Sequence, residues 1–148
     1  MKNDDPAVPH EILFIEDNPG DVRLVQETLK DQPGQFNLHA VSDVDETRAF
    51  LKRQARFADV PRPDLILLDL NLPKENGRNV LAAIKSDPEF RRIPVIVLTS
   101  SDRDKDVLAA YDLHANCYIT KPPDLDQFMA VIQAIIHFWF EVAKLPAH

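Results

Sequence analysis

A chain of 148 residues is the size of one domain with a proper core, and its single cysteine rules out an internal disulfide, which fits a reducing, cytoplasmic setting. A formal net charge of −7 speaks against non-specific binding to nucleic acid, which needs a basic surface. Three glycines leave no GxGxxG or P-loop phosphate cradle, no apolar run approaches the ~18 residues of a membrane span, and the polar start is unlike a signal peptide.

Residues 1–9 read as a disordered tail and residues 10–148 as a single domain with no linker to an output domain. Ile12-Leu13-Phe14-Ile15 is a short apolar run that stops at Glu16-Asp17-Asn18. Asn18-Pro19 reads as an N-cap with proline at the first helical position, and Asp21 falls in the first turn, where the helix dipole favours an acid. Val22, Val25 and Leu29 keep helical spacing until Pro33-Gly34 ends it. Phe36, Leu38 and Ala40 alternate with Asn37, His39 and Val41 in a weaker strand near the sheet edge. Asp43 and Glu46 resemble a capping box opening a helix from Val44 to about Ala55. Then, after Pro61-Arg62-Pro63, Leu65 to Leu68 run without a polar break, as in a strand buried on both faces, and Asp69 arrives as that strand ends.

Beyond the loop at Pro73 to Gly77, Val80, Leu81 and Ile84 mark a third helix closed by Asp87-Pro88. Val95 to Leu98 is a fourth buried strand ending at Thr99-Ser100, and Ser101 with Asp104 caps a helix holding Val107, Leu108 and Tyr111. Cys117 to Thr120 reads as a short strand before Lys121-Pro122-Pro123, and Asp124 with Gln127 opens a last helix running to about Val142. Five βα units predict an α/β fold: a doubly wound five-stranded parallel sheet of order 2-1-3-4-5, flavodoxin-like.

In that order, groups at the strand ends converge: Glu16 and Asp17 from the first strand, Asp69 from the third, Thr99 from the fourth and Lys121 from the fifth. Clustered carboxylates repel and call for a counter-charge, which a hard divalent cation with oxygen ligands such as Mg²⁺ supplies. There is no His/Cys cluster of zinc spacing. A metal beside a carboxylate, a lysine and a hydroxyl suggests phosphoryl transfer, with Asp69 as nucleophile and Mg²⁺, Lys121 and Thr99 serving the phosphoryl oxygens. Taken singly, a Glu-Asp pair is a solvated turn and a Lys-Pro a loop; their joint placement at strand ends is what is specific.

Glu16-Asp17, Asp69 followed by Leu-Asn-Leu-Pro, Thr99-Ser100 and Lys121-Pro122 together resemble the receiver domain of two-component response regulators, over roughly residues 10–142. The resemblance implies that Asp69 is the phosphoacceptor. It implies that Asp17, Asp69 and the backbone carbonyl of Asn71 bind Mg²⁺, with Glu16 acting on the metal through water. It further implies a switch pair in which Thr99 swings to the phosphoryl oxygen and the Tyr118 ring moves inward, and a cis Lys121–Pro122 peptide. Glu-Asp-Asn-Pro-Gly-Asp-Val-Arg-Leu, Tyr-Asp-Leu-His-Ala-Asn-Cys-Tyr-Ile-Thr-Lys and a late Phe-Trp-Phe resemble, more narrowly, the single-domain regulators that partner phytochrome-type histidine kinases. One departure is Pro123-Asp124, where many receivers carry a bulky apolar residue after the proline.

Thr99 and Tyr118 on neighbouring strands direct the output to the fourth helix, fifth strand and fifth helix. Leu125, Phe128, Ile132, Ile135, Trp139 and Val142 follow a 3,4,3,4 spacing on the last helix, either as a core-facing stripe or as a partner surface. The expected output surface is Tyr111, Phe128, Ile132, Ile135 and Trp139, used in a two-fold homodimer or on docking to the kinase. Other outputs are transfer to a histidine phosphotransfer protein, an aspartate-dependent phosphatase or phosphotransferase, or a non-phosphorylated binding module. Asn71 stands where many such enzymes place a second aspartate as acid/base, which disfavours the enzyme. His39, His114 and His137 are isolated, Cys117 reads as an inert buried thiol, and Arg91-Arg92 as a solvated turn.

Overall fold

Each apolar run forms a strand whose alternate side chains point to opposite faces of one sheet, and helices cover both faces. The computed structural model describes residues 8–72 and 76–147; the expected tail lies outside these up to residue 7, as do residues 73–75 of the loop expected after Asp69. The strands are β1 (His10–Ile15), β2 (Phe36–Val41), β3 (Leu65–Leu68), β4 (Val95–Thr99) and β5 (Cys117–Thr120). The helices are α1 (Pro19–Lys30), α2 (Val44–Leu51), α3 (Gly77–Ser86), α4 (Asp104–Asp112) and α5 (Leu125–His137), the last continued by a π-helical turn over Phe138–Val142. All strand pairs are parallel, and the order is β2-β1-β3-β4-β5, the expected doubly wound, flavodoxin-like sheet with β2 at an edge.

Leu13, Ile15, Ile66, Leu68, Val95 and Val97 meet Phe50 of α2 and Val80, Leu81 and Ile84 of α3 on one face. Ile12, Phe14, Leu65, Leu67, Ile96 and Leu98 meet Val25 and Leu29 of α1 and Ile132 and Ile136 of α5 on the other. Burying alternate residues on opposite faces is why the inner strands read as unbroken apolar runs.

Several expectations are corrected. Helix α2 stops at Leu51, short of Ala55, because Arg53 and Ala55 take positive φ values of 55° and 53°, and a short 3-10 turn follows at Ala55–Phe57. Helix α4 is capped by the backbone at Arg103; Ser101 gives its hydroxyl proton to Asp106 instead of the helix end. Asp106 and Ala110 face inward on this helix, and Leu108 is 65% and Tyr111 48% exposed. On α5 the middle of the 3,4 stripe faces the core: Phe128, Ile132 and Ile135 are buried against the sheet and Trp139 packs beside them, so the first three offer no surface to a partner, while Leu125 and Val142 at the two ends of the stripe are exposed. Cys117 is half-buried, not enclosed. Among the described residues, no helix is long and apolar enough to cross a membrane.

Helix α3 begins directly behind the end of β3. A Cβ on Gly77 would stand 2.5 Å from Leu70 Cα and 2.6 Å from the Asp69 carbonyl oxygen, and the Gly77 amide donates to the Leu70 carbonyl at 2.9 Å. Gly77→Ala is therefore expected to destabilise the fold by about 1–3 kcal/mol in urea unfolding, in spite of alanine's better helix propensity. A midpoint at or above wild type would show that the backbone contact yields freely.

Candidate functional site

The strand order reverses between β1 and β3, and a crevice opens beyond the C-terminal ends of the strands at such a point. Backbone bonds set where each side chain leaves the sheet: Glu16 N–H donates to the Val41 carbonyl at 2.9 Å, Asp69 N–H to Ile15 at 3.0 Å and Lys121 N–H to Thr99 at 2.7 Å. Asn18 then turns the chain into α1, its side-chain oxygen accepting from the amides of Gly20 and Asp21.

Asp69 is 5% exposed and each of its oxygens is engaged. Oδ1 accepts from the Asn71 amide at 3.0 Å and from the hydroxyl of fully buried Thr99 at 2.9 Å; Oδ2 accepts from the Lys121 ammonium at 3.1 Å. The Asn71 side-chain amide in turn donates to the Thr99 oxygen at 3.3 Å. Burial would push the Asp69 carboxyl up, but the Asn71 amide, Glu16, Lys121 and Thr99 outweigh it and hold its pKa below the ordinary value.

Lys121 donates to Glu16 Oε1, to Asp21 Oδ2 at 2.8 Å and to Asp69 Oδ2. Burial opposes charge on this ammonium, yet its bonds to Asp21 and Glu16 and the charge of Asp69 raise its pKa further above the ordinary lysine value. The other oxygen of Glu16 accepts from the amides of Asp17 and Asn18 at 3.1 and 3.3 Å. The expected cis bond is corrected: none of the described peptide bonds is cis, Lys121–Pro122 included. A trans bond is the ordinary state of X-Pro, and the three carboxylates and the bond to Thr99 aim the ammonium without it.

One oxygen from each of Glu16, Asp17 and Asp69 lies within 4.8 Å of the others; Glu16 and Asp69 are buried and Asp17 is open to solvent. This all-oxygen anionic set, reachable through Asp17, suits a hard divalent cation and not a soft one. The structure thus brings Glu16, Asp17, Asp69, Asn71, Thr99 and Lys121 together. Tyr118 stands on the neighbouring strand, its ring packed at the core edge, its hydroxyl donating to the Ser101 carbonyl at 2.8 Å and its amide to the Tyr111 hydroxyl at 3.2 Å. Thr99 faces Asp69 directly, through its hydroxyl bond to Oδ1. Asp21 is the site residue that sequence reasoning treated only as a helix-end acid. Its position four after Asp17, on the first turn of a helix that starts at the strand end, was the available signal.

Burial pushes the Glu16 carboxyl from 4.5 up to about 8, against the pull of Lys121 and with the charge of Asp69 adding to it. Stability from a group raised in the fold is complete below its unfolded pKa and is lost as pH rises through the folded one. In chelator, the urea midpoint of the wild type is expected to fall relative to Glu16→Gln between pH 4.5 and about 8. Parallel pH profiles for the two proteins would contradict this.

The family model described as response regulator receiver domain matches residues 12–133. Response regulator Rcp1 of Synechocystis sp. is 48% identical over 145 residues, spanning 98% of this chain and 99% of that protein. Among solved structures, the phosphorylated cyanobacterial phytochrome response regulator RcpA is similar at a TM-score of 0.90 and 46% identity, covering 95% of this chain and 100% of its own. The Mn²⁺-bound form of Rcp1 is similar at a TM-score of 0.88 and 49% identity, covering 94% and 100%.

Proposed function

We propose, from the premise that this chain belongs to the response regulator receiver family and acts as a two-component response regulator, that Asp69 is the residue on which it carries phosphate. The observation that carries this reading is the arrangement around one buried carboxylate: a hydroxyl on one oxygen, an ammonium on the other, and a carboxylate cluster fit for a cation alongside. A carboxylate oxygen of Asp69 attacks the phosphorus of a phosphohistidine, the P–N bond breaks, the imidazole leaves, and an aspartyl phosphate remains. Lys121 and Thr99 are within reach of the new phosphoryl oxygens.

Glu16, Asp17, Asp69 and the backbone carbonyl of Asn71 would hold Mg²⁺, which when bound neutralises the repulsion between an anionic nucleophile and an anionic donor. The Mn²⁺ carried by the Rcp1 structure is an ion of the same oxygen-preferring class. The donor kinase is inferred to be a histidine kinase of phytochrome type, as the description of RcpA suggests. The phosphoryl group is lost slowly by hydrolysis or passed to a histidine phosphotransfer protein. Asn71, an amide, cannot serve as the acid/base that a turnover enzyme would need there.

Thr99 and Tyr118 form the inferred switch: Thr99 exchanges Asp69 for a phosphoryl oxygen, and the Tyr118 ring exchanges its bond to Ser101 for a more interior place. The output face is then α4, β5 and the start of α5, where Leu108, Tyr111 and Leu125 are exposed, in place of the buried Phe128, Ile132 and Ile135. A two-fold homodimer is the inferred use of that face.

Incubated with a phosphorylated kinase and Mg²⁺, the wild type is expected to take up labelled phosphate, and Asp69→Asn or chelated wild type to take up none. Label on Asp69→Asn would mean that the acceptor lies elsewhere. In light scattering, beryllofluoride with Mg²⁺ is expected to shift wild type toward dimer and to leave a Leu108→Asp/Tyr111→Asp variant monomeric. A wild type that stays monomeric in both states at tens of micromolar would remove the dimer, and so would a variant that still dimerises.

A further inference from the structure

The three protons of the Lys121 ammonium go to three carboxylates, on Glu16, Asp21 and Asp69. These acceptors are not equivalent. Glu16 and Asp69 belong to the set whose oxygens can share a cation, together with Asp17, whereas Asp21 is outside it. A cation draws on Glu16 and Asp69, and a phosphoryl group on Asp69 takes that carboxylate out of its present pairing. Asp21 is then the acceptor whose bond to Lys121 neither event disturbs.

Its own position owes nothing to the cluster. Asp21 sits in the first turn of α1, where the Asn18 side chain accepts from its amide at 3.3 Å and the helix dipole favours its charge. Helix α1 in turn is fixed to the sheet by Val25 and Leu29, which are buried with Ile132 and Ile135 of α5. The side chains of Asp21 and Lys121 are 21% and 11% exposed, so the pair is shielded enough for one charge-assisted bond to hold a long, flexible side chain in place.

We infer that Asp21 is a positioning residue: it anchors the Lys121 ammonium over Asp69 in the phosphorylated, cation-bound site. The inference rests on the reading of Asp69 as phosphoacceptor. A residue that merely ties α1 to the end of β5 would contribute to stability alone. An anchor acts on the bound phosphoryl group through Lys121 and through nothing else.

The test is calorimetric titration of beryllofluoride, a phosphoryl mimic, in saturating Mg²⁺, on wild type, Asp21→Asn, Lys121→Ala and the double variant. Asp21→Asn is expected to weaken beryllofluoride binding about tenfold, as loss of one charge-assisted bond would. In the Lys121→Ala background the same substitution is expected to have no further effect, since the group it positions is gone. Mg²⁺ titrated alone is expected to bind Asp21→Asn within about threefold of wild type, because the lost charge is outside the cation set. Where Asp21→Asn does not fold, Asp21→Ser takes its place. Unchanged beryllofluoride affinity in Asp21→Asn, or losses that add in the double variant, would overturn the anchor and leave the phosphoacceptor reading standing. Wild type that binds no beryllofluoride would overturn both.

Discussion

One ammonium holds together a site that would otherwise repel itself. Lys121 reaches from the end of β5 to carboxylates delivered by β1, α1 and β3, and it is the cation that meets Glu16, Asp21 and Asp69 at once. With Asp17 nearby, four acids surround one lysine, an excess of negative charge in a largely buried place. Desolvating charge is costly, and pairing with a lysine offsets only part of that cost. Burial pushes the Glu16 carboxyl up, and on Asp69 the same burial is outweighed by the Asn71 amide, Glu16, Lys121 and Thr99, so the two acids shift in opposite directions. A site left short of positive charge is one that a divalent cation stabilises.

The sheet makes this crowding affordable by fixing the backbone beneath it. Parallel neighbours exchange hydrogen bonds up to the last residue before each functional group, so Glu16, Asp69 and Lys121 leave the sheet from defined points. The close approach of Gly77 to Asp69 and Leu70 packs the start of α3 against the end of β3, and the Asn71 amide folds back on the Asp69 carboxylate. These constraints are local and steric, and they hold whether or not the charges around them are balanced.

From the same site a short path of polar contacts leads outward. Tyr118 donates to the Ser101 carbonyl, Ser101 donates its hydroxyl proton to Asp106, and Asp106 also accepts from Arg103 at 3.2 Å and faces Arg78 of α3 at 4.0 Å. Thr99, the residue on Asp69, is two positions before Ser101 on the same chain segment. Any movement of Thr99 toward a new group on Asp69 therefore pulls on a segment that is tied to both α3 and α4. Helix α4 exposes two apolar residues, Leu108 and Tyr111; Leu125 at the start of α5 and Phe138 and Val142 beyond its end are exposed as well, and α4 is the one of these elements that this polar path reaches.

The linear chain determined the strands, their order and most of the site. Unbroken apolar runs mean strands buried on both faces, caps such as Asn18 and Asp124 mark helix starts, and groups placed just after apolar runs must gather at one end of a doubly wound sheet. Which face of a helix points inward was decided only by packing. Periodicity locates an apolar stripe without saying what covers it, so the α5 stripe read more readily as a partner surface than as core until the sheet was seen to cover Phe128, Ile132 and Ile135. On α4 Asp106 is buried together with Ala110, kept there by Ser101 and Arg103, and no propensity announces a polar side chain that turns inward because partners await it. The third carboxylate on Lys121 was hidden for the same reason: Asp21 and Lys121 are a hundred residues apart, and only the fold brings an ammonium to an acid that, on its own helix, looks like an ordinary cap.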